Sequence, residues 1–542
     1  MKDKKFFLLC IAVVILASVL RLWRLGEVPV SMSDDETRLV ESAYSIWKTG
    51  KDLNGRFLPL AFPISGYAFN PVAIYLTAPF VGLGGLTMFV ARLPFALAGI
   101  LTVILVYLLS EQLFKNKPIA LLAATVLAVS PWHLQLSRFA YEGGMALFFY
   151  TLGTYLFLRI KKKQLGFLFA ALASFILGFY SYSGFKLTLV PILLVLAWYK
   201  KDQLVKRQLV LIAGAIILAF GSLYLLGKTQ GALTYGGSLV FFQDTNQIET
   251  AVELERRASA APELFKRLYH NKLTYIWSVF AHHYLYAFSP QYLLTDQEAS
   301  GIFSMWGRGQ LYYAEGIFLL FGILALWIKK RRESAFVLFL LAAAALPAGL
   351  GPEPITYTIR ASFMLPWLVL SIGAGVVSLG TLTKKATMRW GLFLCVGALY
   401  AYFVGGYLTQ YYFDWSRDGA KYYSKADADL AALIVQRRDT KREIVVAGVA
   451  PMTFLHYAFR AKLAAATIQR IYAEKTIVVG NVTFKDTCID LAKTTPTDEA
   501  PPQSLSIVSA ACFDDKKLKI PLKATEIIRS QEQIAEWYVF AT

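Results

Sequence analysis

Three carboxylates stand side by side at Asp34, Asp35 and Glu36, in SMSDDETRLVESA (31–43), just past the first apolar run of the chain. Adjacent acids at a bilayer surface repel one another, which raises the pKa of at least one of them. A carboxylate held nearer to the working pH is what a general base beside a lipid-borne substrate requires. The same residues also read structurally, as an N-terminal cap with a solvated acidic first turn on a juxtamembrane helix. The three acids could in addition bind a divalent cation adventitiously.

Further ionisable groups fall at the same membrane boundary. SPWHLQLSRFAYEGGMALFF carries His133, Arg138 and Glu142; FYSYSGFKLTLVP carries Tyr182 and Lys186; GPEPITYTIRASFMLP carries Tyr357 and Arg360. Such groups in or beside apolar spans are costly and by default mark function. Each also has a plainer reading: Arg138 and Glu142 as an i,i+4 pair, Lys186 as a snorkelling stem, Arg360 as a helix-end anchor. His282-His283 has no third ligand at metal spacing and reads as part of an interfacial aromatic segment, so no metal site is expected.

The elements that must position these groups are membrane spans. At 56% hydrophobic residues over 542 positions and a mean hydropathy of +0.48, the composition is that of a polytopic membrane protein. MKDKK followed by FFLLCIAVVILASVLRLW is not followed by a small-residue cleavage site and reads as an uncleaved span. Spans of about 20 apolar residues are expected near 6–25, 88–112, 118–132, 140–160, 165–180, 187–199, 208–226, 310–328, 334–350, 360–380 and 390–411. The net charge of +19 would suit nucleic acid, but its distribution excludes that class. Basic clusters such as Lys161–Lys163, Lys200–Arg207 and Lys329–Arg332 fill every second short gap between apolar runs, the positive-inside alternation. This places the N-terminus in the cytoplasm and residues 26–87 and 227–309 in two long external loops. Both loops carry amphipathic or aromatic stretches suited to helices lying in the interface.

Residues 412–542 are polar, with β-like runs EIVVAGV, KTIVVGNVTF and SLSIVSAACF and an amphipathic helix in YYSKADADLAALIVQRRD. The tail is expected to be a small α/β domain outside the membrane, following a transmembrane domain over 1–411. Cys10 and Cys395 lie in spans as packing residues. Cys488 and Cys512 lie in the tail, either as free thiols or as a bridge contributing about 3 kcal/mol.

In order along residues 1–411, the motifs resemble those of the multi-spanning glycosyltransferases of the C-type fold (GT-C), which use lipid-phosphate sugars. Within them the chain is similar to bacterial relatives of protein O-mannosyltransferases and of the lipid A aminoarabinose transferase. The ordered set is Asp35-Glu36, NPVAIYL (70–76), ARLPFALAGILTVILVYLL (91–109), SPWHLQLSRFAYEGG, YSYSGFK, AFSPQYLL with GRGQLYYAEGIFLLFGIL, and IRASFMLPWLVLSIGAG. The resemblance implies an α-helical protein of about 11 spans in a bacterial-type cytoplasmic (inner) membrane. It implies Asp35 as the base that takes the acceptor hydroxyl proton, with Glu36 and Asp34 beside it. Glu142 stands where relatives commonly carry a second acid, here Glu rather than Asp. Arg360 resembles the cation near the lipid phosphate. Where some relatives have Lys before Pro-Pro, this chain has Asn70-Pro71, so Arg138 and Lys186 are expected to supply that contact. Asn70, His133, Tyr182 and Tyr357 are expected to line the substrate pocket.

The chemistry that follows is transfer of a single sugar from a polyprenyl-phosphate donor to a hydroxyl, with inversion, at the external face. The expected partners are that donor, membrane lipids, and an acceptor protein, lipid A or cell-surface glycan. No nucleotide is needed, because the lipid phosphate is the leaving group, and no cofactor is expected. The competing classes are a lipid-linked-oligosaccharide flippase or transporter, and an oligosaccharide ligase. Flippases and transporters often show repeated halves with ionisable groups near the midplane; here those groups gather at one face.

Overall fold

The computed structural model describes residues 2–64, 67–162, 164–230, 240–243, 245–296, 298, 301–305, 307–351, 357–449, 451–472, 474, 476–489, 503–514, 524–530 and 532–541. Every one of the eleven apolar segments is helical. They are α1 (Lys2–Leu22), α4 (Met88–Phe114), α5 (Lys117–Val129), α7 (Glu142–Leu158), α8 (Gly166–Phe179), α9 (Ser183–Tyr199), α10 (Lys206–Gln230), α14 (Tyr313–Lys329), α15 (Arg331–Leu350), the continuous pair α16 (Tyr357–Ala361) and α17 (Leu365–Leu379), and α18 (Ala386–Thr409). Among the described residues, six helices are long and apolar enough to cross a membrane, or seven if α5 is joined to α6 (Pro131–Ser137). The expected span 118–132 ends at Val129, because Ser130 caps a new helix and Pro131 opens it, bending the path by 61°.

The hub of the bundle is α16–α17, which is buried almost throughout. It crosses α14 at two glycines: a Cβ on Gly375 would lie 1.9 Å from the Phe318 carbonyl, and one on Gly322 would lie 1.8 Å from that of Ser371. Small residues at a helix crossing let backbones meet where no hydrophobic force draws helices together in lipid. At the periphery, α10 and α18 carry exposed apolar side chains such as Ile217, Leu218 and Leu394, as lipid-facing helices do.

The first long loop holds α2 (Asp34–Thr49), a short hairpin of β1 (Phe62–Ile64) and β2 (Tyr67–Phe69), and α3 (Pro71–Gly84). Ser33-x-x-Glu36 starts α2 as a capping box, each side chain serving the other's backbone N–H. Gly50, at φ +69°, ends it. In the second loop are α11 (Thr245–Ala258), α12 (Glu263–Tyr269) and α13 (Lys272–Tyr286).

Beyond α18 come α19 (Trp415–Asp418) and α20 (Lys425–Arg437). Then follow β3 (Glu443–Ala447), α21 (Pro451–Ala461), α22 (Ala465–Ile468), β4 (Thr476–Val479), β5 (Val482–Lys485), β6 (Ser504–Ser509), β7 (Glu526–Arg529) and β8 (Ala535–Ala541). The strands make one mixed sheet in the order β4-β5-β3-β6-β8-β7, with β3 parallel to β5 and β6. The run KTIVVGNVTF, expected as one strand, is a hairpin turning at Gly480 (φ +61°) and Asn481. Cys488 and Cys512 are bridged.

This sheet domain does not stand apart. Leu39, Val40, Ala43 and Ile46 of α2 share one apolar core with Leu430, Ile434, Phe454 and Leu455 of the tail. Polar contacts seal the seam: the Gln469 amide donates to Ser45 (2.9 Å) and Thr49 (3.0 Å).

Candidate active site

The first turn of α2 sends its three acids to three different partners. Glu36 is fully buried; its oxygens accept from Arg92 (2.9 and 3.1 Å), Ala140 N–H (2.8 Å) and Ser33 N–H (3.1 Å). Arg92, equally buried, also donates to the carbonyls of Leu25, Pro29 and Ser31. Glu36, expected among the catalytic acids, is thus a strut that fixes the helix start against α4 and the turn before α7. Asp34 accepts from Ser424 (2.6 Å) and lies 3.5 Å from His456 Nε2, both in the tail domain. Burial pushes its pKa up, but the nearby His456 and the bond from Ser424 together outweigh burial and hold it below the usual aspartate range. Asp35 keeps 35% of its side chain exposed and pairs with Arg38 at 3.3 Å. Burial raises its pKa; Arg38 opposes, Asp34 and Glu36 add repulsion, and the net shift is upward. The acid-on-acid repulsion expected from sequence is present, but desolvation is the larger cause. With the acids divided in this way, they form no cation cage. Among the described residues no cluster of three or more His, Cys, Asp or Glu has metal-binding geometry.

Around Asp35 the loops gather a second set. The Glu142 carboxylate accepts from the Asn70 backbone N–H and from the Asn70 amide (3.0 Å). Lys186 Nζ donates to Asn70 Oδ1 (2.9 Å) and Ser183 (3.4 Å). Asn70 therefore bridges the second acid to the lysine, and Lys186 points into the site instead of snorkelling. Asp35 and Glu142 interact electrostatically, and Arg360 acts on Tyr141, Tyr182 and Glu298, with a hydrogen bond to Tyr182. Gly351 leaves room for the Arg360 guanidinium: a Cβ there would meet Nη1 at 1.7 Å.

Three expected site residues serve the scaffold. Arg138 is fully buried and donates to the carbonyls of Leu20 and Arg21, capping the end of α1, and to that of Val28 in the turn beyond, under the ring of Tyr412. It pairs with neither Glu142 nor the site. His133 Nδ1 lies 2.6 Å from the Arg21 guanidinium, and the Tyr357 hydroxyl donates to the His283 carbonyl. Sequence reasoning missed Arg92, Arg38, Glu298 and the tail's Ser424 and His456. Glu298 accepts from Thr358 N–H (2.6 Å), holding the start of the helix that presents Arg360; burial keeps its pKa well above the usual value. An Arg inside the apolar run ARLPFALAG was a visible signal for Arg92; the tail residues had none.

Residues 68–225 match the family model of dolichyl-phosphate-mannose-protein mannosyltransferases. That interval contains Asn70, Glu142 and Lys186. In structure, the chain is similar to ArnT from Cupriavidus metallidurans bound to undecaprenyl phosphate, with a TM-score of 0.54 over 98% of this chain and 97% of that one, at 13% identity. The chain has the GT-C fold. The apo form of the same ArnT matches over 100% and 98% (TM-score 0.52, 14% identity). The oligosaccharyltransferase AglB from Archaeoglobus fulgidus, in complex with an inhibitory peptide and a dolichol-phosphate, matches at 0.51 and 16% identity over 85% of this chain. The chain spans 64% of the length of that AglB. No curated protein matches by sequence.

Proposed function

We propose that this protein moves a single sugar from a polyprenyl-phosphate donor to a hydroxyl acceptor, at the external face of a bacterial-type cytoplasmic membrane, with Asp35 as general base. The observation that carries the reading is the division of labour among the acids. Glu36 is buried under Arg92, and Asp34, 44% exposed, has its pKa held down by its tail-domain partners, while Asp35, 35% exposed, has a raised pKa and lies in the electrostatic reach of a second acid. A raised pKa makes a stronger base, and such a group contributes typically 10²–10⁴-fold.

The leaving phosphate gains charge as the glycosidic bond breaks. Arg360, held by Tyr182 and by the α16 start that Glu298 caps, and Lys186, held on Asn70, would stabilise that charge before the reaction begins. Attack by the acceptor oxygen opposite the phosphate inverts the anomeric carbon. Glu142, fastened to Asn70, sets the position of Lys186. The donor class is supported by the undecaprenyl-phosphate and dolichol-phosphate bound in the two similar structures. Near-complete mutual coverage with ArnT favours that size of enzyme over the larger AglB. The tail domain, packed on α2, lies beside the base and would help form the acceptor side.

The test is a panel of polyprenyl-phosphate sugars incubated with the purified protein and candidate hydroxyl acceptors, reading released polyprenyl phosphate. At least one sugar should give acceptor-dependent release. Release from pyrophosphate-linked oligosaccharides alone would favour the ligase class.

A further inference from the structure

The helices α4, α7 and α9 each begin on the side of the acids and end together at the other end of the bundle, about 25 Å along the 17 residues of α7 and of α9 at ~1.5 Å each. At that far end they enclose a cavity of about 320 Å³. Its lining holds Lys115 after α4, Arg159 and Lys161 after α7, and Lys200 after α9, against the single carboxylate of Glu111. Three successive basic gaps of the sequence thus converge on one concavity. Positive-inside bias accounts for the side of the membrane on which these residues lie, but not for their convergence.

Helix C-termini attract cations by themselves, and Lys200 is used in that way: it is buried, and its Nζ donates to the Leu158 carbonyl at 2.9 Å. Arg159 donates to the Tyr155 hydroxyl at 2.8 Å and lies over the ring of Phe167, which leaves most of its fork open. Among the described residues, the ammonium groups of Lys115 and Lys161 have no hydrogen-bond acceptor. Leu108, Leu158 and Ile160 share the rest of the wall with Tyr155, Gln112 and Gln203, so the cavity is basic and polar with one apolar flank and sits where the helices leave the bilayer.

We infer that this cavity binds a phosphate group, in the leaflet opposite the acids. Its chemistry fits the headgroup of an anionic phospholipid: the guanidinium fork and ammonium groups meet the phosphate oxygens, and the apolar wall meets the glycerol and first methylenes. A free phosphate would use the same cations without the apolar wall.

The experiment compares purified full-length protein in nanodiscs of phosphatidylcholine, with and without cardiolipin, and in phosphatidylcholine with inorganic phosphate at matched ionic strength, reading thermal unfolding. The double variant Lys115→Asn, Lys161→Gln alters exposed positions only. Lys384→Gln with Lys385→Gln removes the same charge from another basic gap. Cardiolipin should raise the unfolding temperature of the wild type, most of that rise should vanish in the cavity variant, and the control should keep it. If inorganic phosphate gives the same variant-sensitive rise, the source is a soluble phosphate at the same site. Equal rises in the wild type and the cavity variant, or no rise with either phosphate source, would overturn the assignment.

Discussion

Replacing Arg38 by Met removes the cation that faces the Asp35 carboxylate. The ion pair is 3.3 Å long between heavy atoms, with Arg38 10% and Asp35 35% exposed. At roughly 4 Å between charge centres and an effective dielectric of ~20, the attraction is about 4 kcal/mol, or about three pKa units at ~1.36 kcal/mol each. Solvent reaches Asp35, so screening reduces this to the lower end of the ~1–3 units that an adjacent opposite charge imposes, about one unit. Arg38 lowers the pKa of Asp35, its loss raises it, and a base is active only when deprotonated. The acid limb of kcat/KM should therefore move to higher pH by about one unit in Arg38→Met, with little change on the alkaline side. Met preserves much of the stem that packs near Met452. Arg38→Lys keeps the charge and should leave the limb close to its wild-type position. The assay is release of polyprenyl phosphate from a synthetic donor across the acid range at saturating acceptor. An acid limb that stays in place in Arg38→Met would mean that Asp35 is not the titrating base.

Arg92→Met strands the buried Glu36 carboxylate and three carbonyls, so unfolding in detergent should show a loss of about 3–5 kcal/mol; a change under about 1 kcal/mol would show that the strut is dispensable. Arg360→Ala should weaken donor binding more than acceptor binding, and Arg360→Lys should recover only part, since a point charge replaces a fork; unchanged donor affinity in the Ala variant would leave Arg360 as a helix anchor. A periplasm-dependent reporter fused after residue 542 should be active, and a signal from a cytoplasm-dependent one would reverse the topology and the face assigned to Asp35.

The helical frame was legible because a bilayer demands long apolar runs, and each of the eleven runs became a helix. The count of full crossings was not, since α7, α9 and α14 stop at 17 residues, α8 at 14, and α5 breaks at Pro131. The capping box of α2 is written locally, four residues long, yet the choice among its three acids is not. That choice depends on Arg92, 56 positions from Glu36, and on Ser424, 390 positions from Asp34. Arg138 stood in a motif with Glu142 and was expected at the phosphate. Its three carbonyl partners lie more than 100 residues away, two in the last turn of α1 and one in the turn beyond it, and no spacing rule anticipates such a contact. The tail's sheet was visible where apolar runs were clean, while β7 and β8 were not anticipated and the Gly480-Asn481 turn was read through. That the tail shares a core with α2 was invisible, because a shared core is a property of two surfaces and neither surface alone announces its partner.

The most direct measurement is single-turnover transfer by Asp35→Asn, paired with donor binding by the same protein. Asn keeps the shape of the side chain but cannot accept the proton. Turnover should fall by about 10²–10⁴-fold while polyprenyl-phosphate-sugar affinity stays close to that of the wild type. Near-normal turnover would contradict the assignment and move the base to Asp34 or Glu142.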